Sequence, residues 1–133
     1  MTTTADNHKD TGAGRIIVTT SGDTPRAPLE ARFGRAPGFI LYDLADGSFT
    51  RVDNTQNLNA AQGAGIQAAQ TVVRTGAKAL VTGHCGPKAF RVLSAAGVRV
   101  FTCDAATVED AVTKYRAGEL AECTAADVDG HWA

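Results

Sequence analysis

Read for spacing of apolar positions, the chain changes texture near its middle. "RIIVTT" (Arg15–Thr20) is a short β-branched run closed by Ser-Gly-Asp, which predicts a buried strand. "GFILYDL" (38–44) and "SFTRVD" (48–53) flank "ADG", whose Asp46-Gly47 pair signals a hairpin. In its second arm Phe49 and Val52 are the expected apolar contacts, with Thr50 and Arg51 exposed or at an edge. Beyond Asn54 the period lengthens. Ile66, Ala69 and Val73 form a helical stripe that Gly76 is placed to close. "KALVTG" (78–83) returns to a short strand. Ala89, Phe90, Leu93 and Ala96 then share a helical face, with Pro87 at the first helical position and Gly97 at the end. "VRVFTC" (98–103) is the last strand, and Val108, Ala111, Val112 and Tyr115 the stripe of a third helix. Thr107 and Asp110 make its capping box, and Gly118 closes it.

The predicted order is β-β-β-α-β-α-β-α. Strands alternating with helices imply parallel crossovers, and the hairpin adds antiparallel pairing. The expectation is an α/β fold: a three-layer α/β/α arrangement around a mixed five-stranded sheet. Residues 15–120 form the domain. Residues 1–14 are polar and read as a disordered arm, and residues 121–133 as an aperiodic tail.

Charge and composition narrow the function. With 133 residues and a net charge of -1, the chain lacks the basic balance of a nucleic-acid binder. No apolar run approaches the roughly 20 residues of a membrane span. The first residues carry no apolar signal-peptide core. Cys85, Cys103 and Cys123 are odd in number and widely spaced, a poor disulfide framework, so a cytoplasmic location is expected.

Ligands in open α/β sheets bind at the carboxyl ends of the strands. The loops there are "TTSGD", containing Ser21; "DNTQNLN", opening on Asn54; "TGHCGP", with His84, Cys85 and Gly86; and "TCDAAT". "QGAG", with Gly63 and Gly65, opens one helix and Gly86-Pro87 another. Two helix N-termini would then offer unpaired N–H donors to an anion. Cys85 at such an end is expected to have a lowered thiol pKa and, with His84, could ligate a soft metal; Cys103 is placed as its neighbour. The competing readings are a tight turn, a core-filling cysteine and a capping histidine. Residues 21–38, with three prolines and Arg26, Arg32 and Arg35, are long enough to suggest a lid over the site, or else a solvated loop.

Several of these segments together resemble a known family. "EARFGRAPGFILYD", "GAGIQAAQTVVRTGAKALVTGHCGPKAFRVLSAAGVRVF" and "TVEDAVTKYRAGEL" are similar, in order and spacing, to the dinitrogenase iron–molybdenum cofactor biosynthesis family. The likeness extends to its small free-standing members, the orange proteins of sulfate-reducing bacteria. It implies a ribonuclease H-like fold and a carrier that is not an enzyme. The cargo would be an anionic metal–sulfur cluster of molybdenum with copper or iron, held non-covalently or through Cys85 and His84. Implied partners are the cluster's donor and acceptor proteins, with no nucleic acid and no membrane, on a monomer or weak dimer. The chain departs from the family pattern at Arg32, where histidine is usual, and at Gly38, where an aromatic is usual. The residues expected to hold the cluster are Ser21, Arg32, Arg35, Asn54, Gly63, Gly65, His84, Cys85 and Gly86. The alternatives are a protein-interaction module without a cluster and a thiol-dependent enzyme using Cys85. A metal-dependent nuclease is disfavoured, because Asp23, Asp43, Asp53 and Asp104 show no convergence in the sequence.

Overall fold

Strand β1 (Arg15–Thr20) is enclosed from Ile16 onward because it lies at the centre of the sheet. The structure, a computed structural model, describes residues 14–58 and 63–124. All but the last residue of the proposed N-terminal arm, and the tail from residue 125, lie outside that range. On one side β1 pairs antiparallel with β2 (Gly38–Asp43), which turns at Asp46-Gly47 into β3 (Phe49–Asp53). On its other side it pairs parallel with β4 (Ala79–Thr82), which pairs parallel with β5 (Arg99–Thr102). A sixth strand, β6 (Ala121–Glu122), runs antiparallel to β5, giving the order β3-β2-β1-β4-β5-β6. The sheet therefore has six strands where five were expected. Two residues are too few to show an alternation, and β6 exists through its pairing. Glu122 accepts two hydrogen bonds from the Arg99 guanidinium (2.7 and 3.1 Å), which hold its carboxyl below its ordinary pKa.

Alternation along the strands builds two cores. Ile17, Phe39, Leu80 and Val100 face α2 (Ala64–Thr75) and α3 (Pro87–Ala95). Ile16, Val18, Ile40, Val81 and Phe101 face α4 (Val108–Arg116). A short α1 (Thr55–Leu58) precedes α2. This is the expected three-layer arrangement, and among the described residues no helix is long and apolar enough to cross a membrane.

The helical stripes hold with two shifts. In α4 all four expected residues are buried. In α2 the face against the sheet is Ala68, Ala69 and Val72, while Ile66 and Val73 sit half-buried at its margins. In α3 Ala89 and Leu93 are buried, but Ala96 is exposed past the helix end. Phe49 is corrected too. Three residues apart on a strand means opposite faces, so Val52 packs toward the core while Phe49, on the edge strand, is 45% exposed.

The segment from 21 to 37 is not an open lid. It bridges Thr20 to Leu29, Pro28 to Thr107 and Arg32 to His84, and carries a 3-10 turn at Phe33–Arg35 that buries Phe33. Arg51 fastens both of its ends: Nε pairs with Asp23 (2.9 Å) and Nη2 donates to the Pro37 carbonyl (3.4 Å). Gly38 makes this possible, since a Cβ there would lie 2.6 Å from the Arg51 guanidinium. An aromatic residue at 38 could not coexist with that clasp. The segment is a strap.

Candidate functional site

At the carboxyl ends of β1 and β4, the strap, the start of α2 and the β4–α3 turn enclose a cavity of about 640 Å³. Five of the residues singled out in the sequence meet there: Arg32, Gly63, Gly65, His84 and Gly86. Phe33, Gly34, Ile66, Pro87, Lys88 and Ala89 complete the wall. Backbone contacts set its shape. The strap is stitched to the turn by Phe33 N–H donating to the His84 carbonyl (3.1 Å). Gly83 permits that approach, for a Cβ there would lie 2.6 Å from the Ala31 oxygen.

Among the described residues the cavity wall carries cations and no carboxylate. Arg51, Arg74, Arg99 and Arg116 each spend their guanidinium on a partner elsewhere in the fold. Among the described residues Arg32 and Lys88 in the wall, and Arg35 beside it on the 3-10 turn, have neither an ion pair nor a side-chain hydrogen bond. Both helices that open on the cavity start on glycine, with no capping side chain. Gly63 has φ 80°, the left-handed region, and the carbonyls of Gly63 and Gly86 accept the first helical bonds from Gln67 and Phe90. The N–H groups of Gly65, Ile66, Lys88 and Ala89 have no acceptor among the described residues. An anion entering here meets donors and positive charge from two helix ends together.

Four expected site residues lie elsewhere. Ser21 is exposed on the strap and Arg35 points from the 3-10 turn without lining the cavity. Asn54 is fully buried as a structural tie: Nδ2 donates to the Ala36 carbonyl (2.8 Å) and Oδ1 accepts from Asn57 (2.6 Å). Cys85 faces inward, 3% exposed in the core beneath α2 and α3. Burial, and then the neighbouring Cys123, push its thiol up to about 12, opposite to the lowering that a helix start alone suggests. Desolvation outweighs the helix end because the sulfur sits behind the turn. Nor is Cys103 its neighbour; it belongs to the core on the other face of the sheet, where its sulfur accepts from Ala105 N–H (3.3 Å). Among the described residues no group of three or more His, Cys, Asp or Glu could hold a metal ion. Among the described residues of the wall, His84 is the one His, Cys, Asp or Glu, and it is exposed.

Sequence reasoning missed Lys88, Ile66 and the strap's role as a wall. Lys88 was legible as the second residue of a helix opened by Gly-Pro. Ile66 looked like core because period alone does not show where a helix overhangs the sheet.

The sequence pattern of the dinitrogenase iron–molybdenum cofactor family matches residues 14–118. The fold is similar to the apo form of the orange protein from Desulfovibrio gigas, with 39% identity and a TM-score of 0.81, covering 84% of this chain and 94% of that one. A NifB-like protein from Thermotoga is 33% identical with a TM-score of 0.72, covering 82% and 92%. An uncharacterized protein of Methanocaldococcus jannaschii is 23% identical over 94 residues, which span 69% of this chain and 80% of that protein.

Proposed function

The chain belongs to the dinitrogenase iron–molybdenum cofactor family, and from that premise we propose that its cavity carries an anionic metal–sulfur cluster, held by charge and hydrogen bonds. The observation that carries this reading is the wall itself. Among the described residues, Arg32 and Lys88 stand without partners around a cavity of about 640 Å³ whose wall contains no carboxylate. A cluster with sulfur on its surface offers many weak acceptors for backbone N–H groups, and its bulk suits a cavity of that size. Molybdenum with copper or with iron fits this description equally, since the wall reads charge and size.

The same wall supports a carrier over a thiol enzyme. A nucleophilic Cys85 would need access and a lowered pKa, and it has neither: it is 3% exposed and pushed up to about 12. The protein receives its cargo from one protein and yields it to another without turnover. Release is straightforward when no metal–ligand bond has to break.

Anaerobic reconstitution with tetrathiomolybdate and copper(I), followed by gel filtration, tests the proposal. The expected product is coloured, with molybdenum and copper co-eluting with protein. Arg32→Ala and Lys88→Ala each lower retention, more steeply as salt rises. A colourless, metal-free protein overturns it.

A further inference from the structure

Most glycines here are explained by the fold. Six described ones have positive φ. At Gly22, Gly38 and Gly83 a Cβ would run into Ala27, Arg51 and Ala31. At Gly34, where the 3-10 turn approaches α2, a Cβ would lie 3.4 Å from the Gly65 Cα, at the near edge of ordinary contact. Two other glycines of the cavity wall have more room, Gly65 and Gly86.

Gly65 lies in the first turn of α2, where glycine is a poor helix former and alanine the best. A Cβ there would meet only the Ala89 Cβ at 3.7 Å, an ordinary contact. Gly86 has φ -72° and ψ 167°, backbone open to any residue, and a Cβ there would meet nothing within 4 Å. It caps α3, a position where serine, aspartate or asparagine would satisfy an N–H that is left open. Folding therefore gains nothing from either glycine. Both lie in the cavity wall at the two helix starts, where a side chain would take up space in the cavity or, at the cap of α3, one of its donors.

We infer that Gly65 and Gly86 determine the cavity's specificity, keeping the cleft bare so that a bulky anion touches both helix backbones at once. This rests on the carrier reading above and adds a size criterion to it. A small tetrahedral anion such as sulfate can sit on one helix end and is indifferent to the second. A polynuclear cluster needs the full width, and one methyl group on either side obstructs it.

Gly65→Ala and Gly86→Ser test this with stability and binding moving in opposite directions. Gly65→Ala supplies a helix former and should raise Tm by about 2–4 °C. Gly86→Ser supplies its own cap and should leave Tm level or slightly higher. Both should retain the cluster formed from tetrathiomolybdate and copper(I) about tenfold less well, the loss of one good contact. The thermal shift produced by sulfate should match the wild type in Gly65→Ala, which leaves the α3 donors uncapped. Wild-type retention in both variants overturns the inference, as does a fall in Tm, which would show that the fold needs these glycines. An equal loss of the sulfate shift in Gly65→Ala overturns the size criterion. If the wild type binds no cluster, the carrier reading fails and this inference falls with it. If the wild type binds and the variants bind equally, only the inference fails.

Discussion

Helices α3 and α4 both begin just past the carboxyl ends of parallel strands, yet one start is open and the other sealed. At α4 the strap lies across the end: Val108 N–H donates to the Ala27 carbonyl (3.0 Å) and Glu109 N–H to the Pro25 carbonyl (2.7 Å). Asp110 N–H donates to Thr107 Oγ1 (3.1 Å), so every early donor is used. Glu109 and Asp110 add negative charge that suits the positive helix end. At α3 the cap is a bare glycine, the first turn carries Lys88, and the donors face the cavity. The hollow beside the β5 end, about 410 Å³, mixes Lys114 with Asp104 and Glu119 and so has no preference for anions. The lesson is that a helix N-terminus becomes a site only where the rest of the chain declines to cap it.

Reversing the charge at the open end should have the largest effect. Arg32→Glu with Lys88→Glu is expected to cut cluster retention on the order of a hundredfold while Tm stays near wild type, as both side chains are exposed and unpaired. Metal content after gel filtration reads it directly. Retention at wild-type level would show that the open end is not where the cluster sits.

Gly83→Ala attacks the seam that makes the strap a wall. The added methyl meets the Ala31 backbone, and the misfit should cost about 1–3 kcal/mol of stability. Cluster retention should fall with it, because Arg32 moves with the strap. Urea titration and metal analysis on one sample separate the two effects.

Thr107→Ala opens the sealed end instead. Loss of the cap should cost about 1 kcal/mol in stability, and cluster retention should not change. Any loss of retention would mean that the two helix starts are not independent.

The smallest effect at neutral pH concerns Cys85. Its folded pKa of about 12 lies above the ordinary value of 9.0. The unfolded chain therefore loses this proton first, and folding stability should decline as pH climbs from 9.0 toward 12. Below that range its contribution is unchanged. Cys85→Ser should flatten the alkaline decline in a pH series of denaturant unfolding. At neutral pH, iodoacetamide should modify Cys85 of the native protein far more slowly than in urea.

Legibility followed the range of the interactions. The α4 stripe and its Thr107 cap were readable because they are made by residues three and four apart. The edge position of β3 was partly readable: Thr50 and Arg51 side by side in the arm pointed to it, whereas Phe49 misled because hydrophobicity does not say which face lacks a covering helix. Gly63, Gly65 and Gly86 announced helix starts that could hold a ligand. Cys85 misled for the reverse reason. Adjacency to a glycine-opened helix suggested an activated thiol, while the direction of its side chain depends on how the turn seats against β4.

By itself the order of amino acids determined five of the six strands, the three longer helices and the two glycine-opened starts, because backbone preferences and apolar period act over a single turn or a few residues. Which start remains open was decided only in three dimensions. The carbonyls that seal α4, and the strap that walls the cavity of α3, come from a segment far away in the chain, and its course is set by Arg51, by Gly83 and by burial of Phe33.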